Sequence, residues 1–204
     1  MHCIICNTTI IATKNILCAQ CWKELSFIVG RRHTTQNVFA MLEYNEIARK
    51  LIHSFKYQSP SLLIDLFVNW ISFGYQQMIE SYDIIIPVPI HKYKLMKRGY
   101  NQSAVLAKAI AKRYKKQCYV EVLIKTKNTI SQSMLNKQNR EVNVIDTFQL
   151  NPKMLKKIQG KKILFIDDVI TTGSTIVECL KALRDLTDTV QGLCIAMTIN
   201  YNNI

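Results

Sequence analysis

The segment from residue 163 to residue 175 contains residue types that suit a phosphorylated sugar. Four apolar residues precede two adjacent acids, Asp167 and Asp168, and a short loop around Gly173 then leads into a predicted helix. Backbone N–H groups at a helix N-terminus, with the positive end of the helix dipole behind them, bind phosphate. Further donors would come from four hydroxyl side chains of the loop: Thr171, Thr172, Ser174 and Thr175. The carboxylates would repel a phosphate, so they suit ribose hydroxyls or a ribose-bound Mg²⁺.

A second candidate segment follows the apolar run 84–88. It begins at His91 and carries Lys92 and Arg98, with two further lysines between them. This charge is sufficient to receive a pyrophosphate, and a guanidinium such as that of Arg98 can bind one bidentately. His91 has two interpretations that stay open: a proton donor or phosphate contact, or a structural loop histidine.

Four cysteines near the N-terminus have the spacing of a metal site. Two CxxC pairs are separated by eleven residues and consist of Cys3, Cys6, Cys18 and Cys21. Four thiolates in such pairs can hold one Zn²⁺ tetrahedrally, and a reducing cytosol would keep them free to do so. Disulfides or a redox CxxC are the alternative, but two tandem pairs without a βαβ pattern favour zinc. His2 could replace Cys3 as a ligand.

The chain is strongly basic, with 27 Lys and Arg against 14 Asp and Glu and a net charge of +13. Residues 84–140 contain thirteen Lys or Arg and a single acid, Glu121. Such a balance favours phosphate-rich partners, although solvated surface lysines would give the same composition. No export signal or membrane-spanning run is recognisable, since polar residues interrupt the apolar stretch 62–79. We expect a cytoplasmic protein, and the inner face of the membrane is one candidate location.

Hydrophobic patterning predicts alternating strands and helices. Strands are predicted over 38–44, 84–88, 119–125, 161–166 and 190–199, and helices over 47–55, 60–79, 102–116 and 174–186. The connection 89–101 is predicted to be a loop, and 126–143 is polar without a regular pattern. This alternation predicts an α/β fold with a parallel, doubly wound sheet, whose ligands bind beyond the carboxyl ends of the strands. We expect two domains, a zinc-binding module over 1–30 and the α/β domain over 31–204.

The 163–175 segment resembles the motif with which type I phosphoribosyltransferases bind 5-phosphoribosyl-1-pyrophosphate (PRPP). That motif has four apolar residues, two acids and a T-T-G-S/T loop. The resemblance implies that Asp167 and Asp168 contact the ribose 2′ and 3′ hydroxyls. It also implies that residues 171–175 hold the 5-phosphate and that Mg²⁺ accompanies PRPP.

The chain as a whole is similar to the ComF family of competence proteins, phosphoribosyltransferase-like proteins associated with DNA uptake in natural transformation. The similarity includes the paired CxxC motifs, V-P-x-H ending at His91, and R-G-[FY]-N-Q over 98–102. Residues 55–57 correspond to the family's L-K-Y element, and a further Q…L…R…N…F pattern is matched by Gln132, Leu135, Arg140, Asn143 and Phe148. One departure is that residues 94–96 lack the arginines common in the family, which removes a bidentate contact but keeps a positive charge.

This resemblance implies a protein that binds PRPP or a related ribose phosphate and handles single-stranded DNA during uptake. Proteins of the uptake machinery are possible partners. The candidate DNA contacts are three lysines in or after the helix predicted over 102–116: Lys108, Lys112 and Lys115. Two alternatives stay open. One is a working phosphoribosyltransferase, in which the two acids and the basic loop stabilise an oxocarbenium-like state and 126–143 forms a lid. The other is a non-catalytic PRPP sensor.

Overall fold

A computed structural model describes residues 1–11, 16–31, 37–58, 60–126, 147–183, 185–187 and 189–199. Its main sheet contains five strands, β1 (Val38–Glu43), β2 (Ile84–Pro87), β3 (Gln117–Cys118), β6 (Ile163–Ile170) and β7 (Val190–Met197). Their spatial order is β1-β7-β6-β2-β3, and every adjacent pair is parallel. The predicted α/β class with a parallel sheet is therefore confirmed.

The sheet buries apolar side chains on both faces. In β6, Leu164 and Ile166 belong to one core cluster, while Ile163 and Phe165 belong to the other. This division follows from strand geometry, since successive side chains point to opposite faces. Helices α2 (Glu46–Tyr57), α3 (Pro60–Ser81) and α5 (Gln102–Arg113) cover the first face. The second face is covered by α6 (Leu155–Ile158) and α7 (Ser174–Leu183), together with the hairpin of β4 (Leu123–Lys125) and β5 (Phe148–Leu150).

Helix α2 shows why the hydrophobic pattern was informative. Asn45 caps it by accepting a hydrogen bond from the Ala48 backbone N–H at 2.9 Å. The apolar positions that predicted this helix are all buried: Ile47, Ala48, Leu51, Ile52 and Phe55. Packing that stripe against α3 and the sheet fixes the position of the last turn of α2, which contains Lys56.

Two predictions of local structure were wrong. The connection 89–101 contains a helix, α4 (Lys92–Arg98), which His91 caps and Gly99 ends with a φ of 84°. None of the residues in α4 is buried. The helix therefore needs no apolar stripe, and the sequence shows none that would have predicted it. Of the single strand predicted over 119–125, only the end is a strand, β4, which pairs antiparallel with β5. Strand β3, which pairs with β2, lies just before the predicted range. Most of the polar segment 126–143 lies outside the described residues, as do four of the five positions of the Q…L…R…N…F pattern.

The N-terminal segment packs onto α3 through aromatic rings. Trp22 lies in α1 (Ala19–Lys23), and its ring centroid is 5.6 Å from that of Trp70. The centroid of the Phe27 ring lies 5.3 Å from that of Trp70. The backbone after this segment is also bonded to the sheet, where the Ile28 N–H donates to the Met41 carbonyl of β1 at 2.9 Å. The domain boundary placed after residue 30 stays a prediction.

The strand order places a crevice between β2 and β6. From β2 the chain moves outward to β3, and from β6 it moves in the opposite direction to β7. Ligands of open parallel sheets bind at such a reversal, beyond the carboxyl ends of the strands. Among the described residues, no helix combines the length and apolarity needed to cross a bilayer.

Candidate functional site

The two acids lie at the carboxyl end of β6, where the neighbouring strand has already ended. Paired residues of β2 and β6 run from Ile84 and Ile163 to Pro87 and Ile166, whereas β6 continues beside β7 to Ile170. Asp167 and Asp168 therefore project beside the crevice at the strand reversal. Both side chains accept hydrogen bonds from the first turn of α5, Asp167 from Ser103 and Asp168 from Gln102.

Asp168 is buried and is held from the α2 and α5 side. The Lys56 Nζ lies 2.8 Å from its Oδ2, and the Gln102 Nε2 donates to the same oxygen at 2.8 Å. Burial alone would lower the pKa of Lys56, but the charge of Asp168 and its hydrogen bond outweigh burial and raise that pKa. The pair is almost enclosed, with 23% of the lysine side chain and 7% of the aspartate side chain exposed.

Asp167 has weaker compensation for its burial. Its Oδ1 accepts hydrogen bonds from the Ser103 hydroxyl and the Asp168 backbone N–H, both at 2.9 Å. Burial, reinforced by the charge of Asp168, raises the pKa of Asp167 to about 7. Near neutral pH this carboxyl can therefore gain or lose a proton. Groups with such shifted pKa values are common in functional sites.

Further cations surround the acids. Burial, followed by the charges of Arg98 and Lys56, lowers the pKa of Lys94. Burial, followed by the charge of Lys94, lowers the pKa of Lys125 to about 8. Within the described residues, neither Lys94 nor Lys125 has a carboxylate within salt-bridge distance. Partly desolvated cations that repel one another stabilise a bound anion, so this side of the crevice is suited to phosphate.

Arg98 links the basic segment to the acid pair. Its Nη1 donates to the Gln102 Oε1, and its Nη2 donates to the Tyr57 hydroxyl at 3.0 Å. Its guanidinium also lies 4.9 Å from the Tyr57 ring centroid. The Arg98 Nε is buried and has no hydrogen-bond partner among the described residues, so it is a donor that a ligand could satisfy.

The loop between β6 and α7 turns at a glycine and carries the predicted hydroxyl side chains. Gly173 is buried and has a φ of 79°, a conformation that favours glycine. The Thr172 and Ser174 hydroxyl oxygens are 2.6 Å apart, and Thr171 and Thr175 are partly exposed beside them. The chain thus places the predicted hydroxyl groups around the start of α7, next to the acids.

The remaining predicted residues occupy different places. His91 is buried, and its Nδ1 accepts a hydrogen bond from the Tyr93 backbone N–H at 3.2 Å, which is a structural capping role. Lys92 is exposed in the first turn of α4. The three candidate DNA contacts, Lys108, Lys112 and Lys115, are exposed in or directly after α5. The opposite end of that helix supplies Gln102 and Ser103 to the acids.

The four cysteine sulfurs converge at the N-terminus. They lie within 4.8 Å of one another, and the Cys6 and Cys18 sulfurs are 3.6 Å apart. Tetrahedral Zn²⁺ with bonds of about 2.3 Å requires sulfur separations of roughly 3.8 Å, so the cluster fits this metal. His2 is bonded elsewhere, since its Nδ1 lies 3.1 Å from the Asn7 carbonyl oxygen.

Sequence reasoning missed four side chains that complete the site. Lys56 and Gln102 were part of quoted motifs but were assigned no role, and Ser103 and Lys125 were not singled out. Only the L-K-Y and R-G-[FY]-N-Q similarities gave a signal for the first two. Their contacts with the acids depend on helix packing, which local spacing does not reveal.

The raised pKa of Asp167 predicts a specific dependence of stability on pH. The unfolded carboxyl has a pKa near 4, so the folded state binds a proton more readily, and the resulting stabilisation is lost as the pH rises towards 7. Replacing Asp167 with Asn should raise the unfolding free energy by roughly 4 kcal/mol at about pH 8 and leave it nearly unchanged at about pH 4. Urea unfolding across this range measures the difference. The exposed Asp65→Asn control should show no such trend, and an equal trend in both variants would contradict the assignment.

Residues 36–203 match the protein-family model described as PRTase-CE. The chain is 33% identical over 118 residues to the DNA utilization protein YhgH of Shigella flexneri, a match covering 57% of this chain and 50% of that protein. The chain thus spans about half the length of these relatives. It is 24% identical to competence protein F of Haemophilus influenzae, with 91% of each covered. With competence protein ComFC of Streptococcus pneumoniae it shares 27% identity, covering 90% of this chain and 74% of that protein.

Solved phosphoribosyltransferases are also similar. An orotate phosphoribosyltransferase from Aeropyrum pernix is 16% identical with a TM-score of 0.43, covering 85% of this chain and 73% of the other. An adenine phosphoribosyltransferase from Leishmania donovani is 11% identical with a TM-score of 0.46, covering 84% and 89%. The residues matched by the family model include all five strands of the main sheet. The chain belongs to the PRTase-CE family and is a ComF-family protein with a phosphoribosyltransferase-like domain.

Proposed function

We propose that this protein binds PRPP or a related ribose phosphate in the crevice between β2 and β6, and that it acts on single-stranded DNA during uptake. The observation that carries the first part is the acid pair at the end of β6, with the hydroxyl-rich turn on one side and buried cations on the other. Ribose hydroxyls suit the acids, and phosphate suits the turn and the cations. The similarity to competence proteins supports the second part.

Different parts of the site would bind different groups of the ligand. Backbone N–H groups at the start of α7 and the hydroxyls of Thr172 and Ser174 would hold the terminal phosphate. Arg98, Lys94 and Lys125 would hold a second anionic group, and the Arg98 Nε would gain the partner that it lacks among the described residues. A pyrophosphate satisfies this requirement better than a single phosphate, because its larger charge offsets the repulsion among the three cations.

The sugar-binding assignment predicts that Asp167→Asn weakens PRPP binding about 10- to 100-fold, since a hydrogen bond to a charged group is lost. Titration calorimetry with Mg²⁺ present would measure this, with Asp65→Asn as the control. Asp168→Asn should weaken binding as well, but it leaves Lys56 without its buried partner and should cost about 3–5 kcal/mol of stability. Unchanged affinity in folded Asp167→Asn protein would remove Asp167 from the site.

Catalysis is the second candidate, and the titrating Asp167 near the sugar site favours it. If the protein is a phosphoribosyltransferase, mixing it with PRPP and a nucleobase releases pyrophosphate. PRPP binding without release from any base identifies a PRPP sensor or a competence factor without transferase activity.

The exposed lysines of α5 predict the position of the DNA contact. The first turn of α5 contacts the acids, and the lysines lie in the second half of the helix and just beyond it. They therefore form a basic surface that extends away from the acids, at a rise of about 1.5 Å per residue. Changing Lys108, Lys112 and Lys115 to Glu should lower affinity for a single-stranded oligonucleotide. It should also reduce the slope of log affinity against log salt by about 2. The measurement is fluorescence anisotropy over a range of salt concentrations.

A matched control makes the same charge change at Lys153, Lys156 and Lys161, which are exposed outside α5. An equal loss in both triple variants would show that net charge, and not the α5 surface, governs DNA binding.

We also propose that the cysteine cluster holds a structural Zn²⁺, which would supply folding energy to a segment too short for a large core. Purified protein should contain about one zinc per chain. Cys18→Ser with Cys21→Ser should release the metal and change the fluorescence of neighbouring Trp22, whereas Cys118→Ser should do neither. Elemental analysis measures the metal, and zinc-free wild-type protein would contradict the assignment.

A further inference from the structure

Lys56 occupies the position at which a cation would neutralise the acid pair. Its Nζ lies 2.8 Å from the Asp168 Oδ2, and little of either side chain is exposed. Contact with Asp168, and beyond it the charge of Asp167, raises the pKa of Lys56 in spite of burial. The chain thus brings a positive charge of its own to the acids.

The oxygen that Lys56 contacts is also used by a second donor. The Gln102 Nε2 donates to the Asp168 Oδ2 at 2.8 Å. The orientation of this amide is fixed from behind, because the Gln102 Oε1 accepts from the Arg98 guanidinium. A carboxylate oxygen offers about two acceptor positions, so the donors from Lys56 and Gln102 use the capacity of Oδ2.

A divalent cation does not fit this arrangement. Mg²⁺ takes oxygen ligands in near-octahedral geometry at about 2.0–2.1 Å, and at the Asp168 Oδ2 it would compete with Lys56 for the same lone pair. At the other oxygen of Asp168 it would meet the repulsion of the Lys56 ammonium, which is bound to the same carboxylate. The positive charges of Arg98 and Lys94, which both act on this region, would oppose it further. Ribose hydroxyls are uncharged and can approach the remaining carboxylate oxygens without displacing the lysine.

The last turn of α2 is also anchored on both sides of Lys56. The Tyr100 hydroxyl donates to the Phe55 carbonyl, and the Arg98 Nη2 donates to the Tyr57 hydroxyl at 3.0 Å. The Phe55 side chain is fully buried. Because the residues before and after it are bonded to the 98–100 segment, Lys56 cannot withdraw from Asp168 by a simple shift of the helix end.

Resting on the ribose-phosphate site proposed above, we propose that Lys56 is a built-in counter-ion that takes the place of a divalent metal at Asp168. Lys56 acts through Asp168 and is a positioning residue, which holds the carboxylate in place and oriented towards the sugar. The consequence is that the protein binds a ribose phosphate without requiring Mg²⁺, and that the acids of the free protein do not bind a divalent cation.

The test compares PRPP, as its sodium salt, in chelator and in excess Mg²⁺ by titration calorimetry. Wild-type affinity should differ between the two buffers by less than about threefold. Lys56→Met should weaken binding in chelator by roughly tenfold or more, and Mg²⁺ should restore part of the loss. The control is Lys50→Met in the same helix, where Lys50 is exposed and pairs with exposed Glu46 at 2.9 Å, and it should behave as wild type. A lysine with a purely structural role would not change the dependence on Mg²⁺.

A second measurement does not depend on PRPP. Water-proton relaxation should detect Mn²⁺ binding to ligand-free Lys56→Met protein but not to wild type, and Asp168→Asn in the Lys56→Met background should abolish it. Thiolate ligands do not favour Mn²⁺, so the cysteine cluster should not contribute.

The outcomes separate the two proposals. Wild-type protein that binds PRPP only with Mg²⁺, or that binds Mn²⁺ as tightly as Lys56→Met does, overturns the counter-ion. If Lys56→Met fails to fold, the dependence of PRPP binding on Mg²⁺ in wild-type protein still decides whether the counter-ion proposal holds. Wild-type protein that binds PRPP in neither buffer defeats the proposed function, and absence of Mn²⁺ binding to wild type still supports Lys56 as the cation at Asp168.

Discussion

Two adjacent carboxylates at the end of a buried strand impose the main constraint on this molecule. A buried charge is costly unless a cation or hydrogen-bond donors accompany it, and a second carboxylate beside it adds repulsion. The chain meets the two requirements differently. Asp168 has a lysine and a glutamine amide on one oxygen, whereas Asp167 has a hydroxyl and a backbone N–H, and its pKa rises to about 7. The helices around the crevice are placed so that these donors reach the acids.

The positive charge of the chain divides into two populations with different physical effects. Lys56, Lys94 and Lys125 are partly buried and act on one another, so their charge acts over short distances in a medium of low polarity. The lysines of α5 are exposed, and their field is screened by salt. A small polyanionic ligand would use the first population, and the backbone of a nucleic acid would use the second. Composition alone could not separate them, because both contribute equally to the net charge.

The N-terminal cysteine segment is joined to the site by a continuous series of aromatic contacts. Trp22 packs against Trp70, Trp70 against Phe67, and Phe67 against Phe55, with ring centroids 5.3–5.8 Å apart. Phe55 directly precedes Lys56 in α2. The segment that carries the cysteines therefore packs against the same core that holds the counter-ion of Asp168.

The sequence determined by itself those features that depend on local pattern. Apolar periodicity identified the buried face of α2, the order of residues at 163–175 identified the acids and the turn, and the CxxC spacing identified the sulfur cluster. It missed α4, which buries nothing, and it predicted one strand over 119–125 where only β4 is found, since strands of two or three residues leave little pattern to read. Tertiary structure alone decided that Lys56 and Gln102 meet Asp168, and that His91 caps a helix. Those contacts arise from the packing of whole helices on a sheet, which many dispersed apolar residues specify together and no short segment encodes.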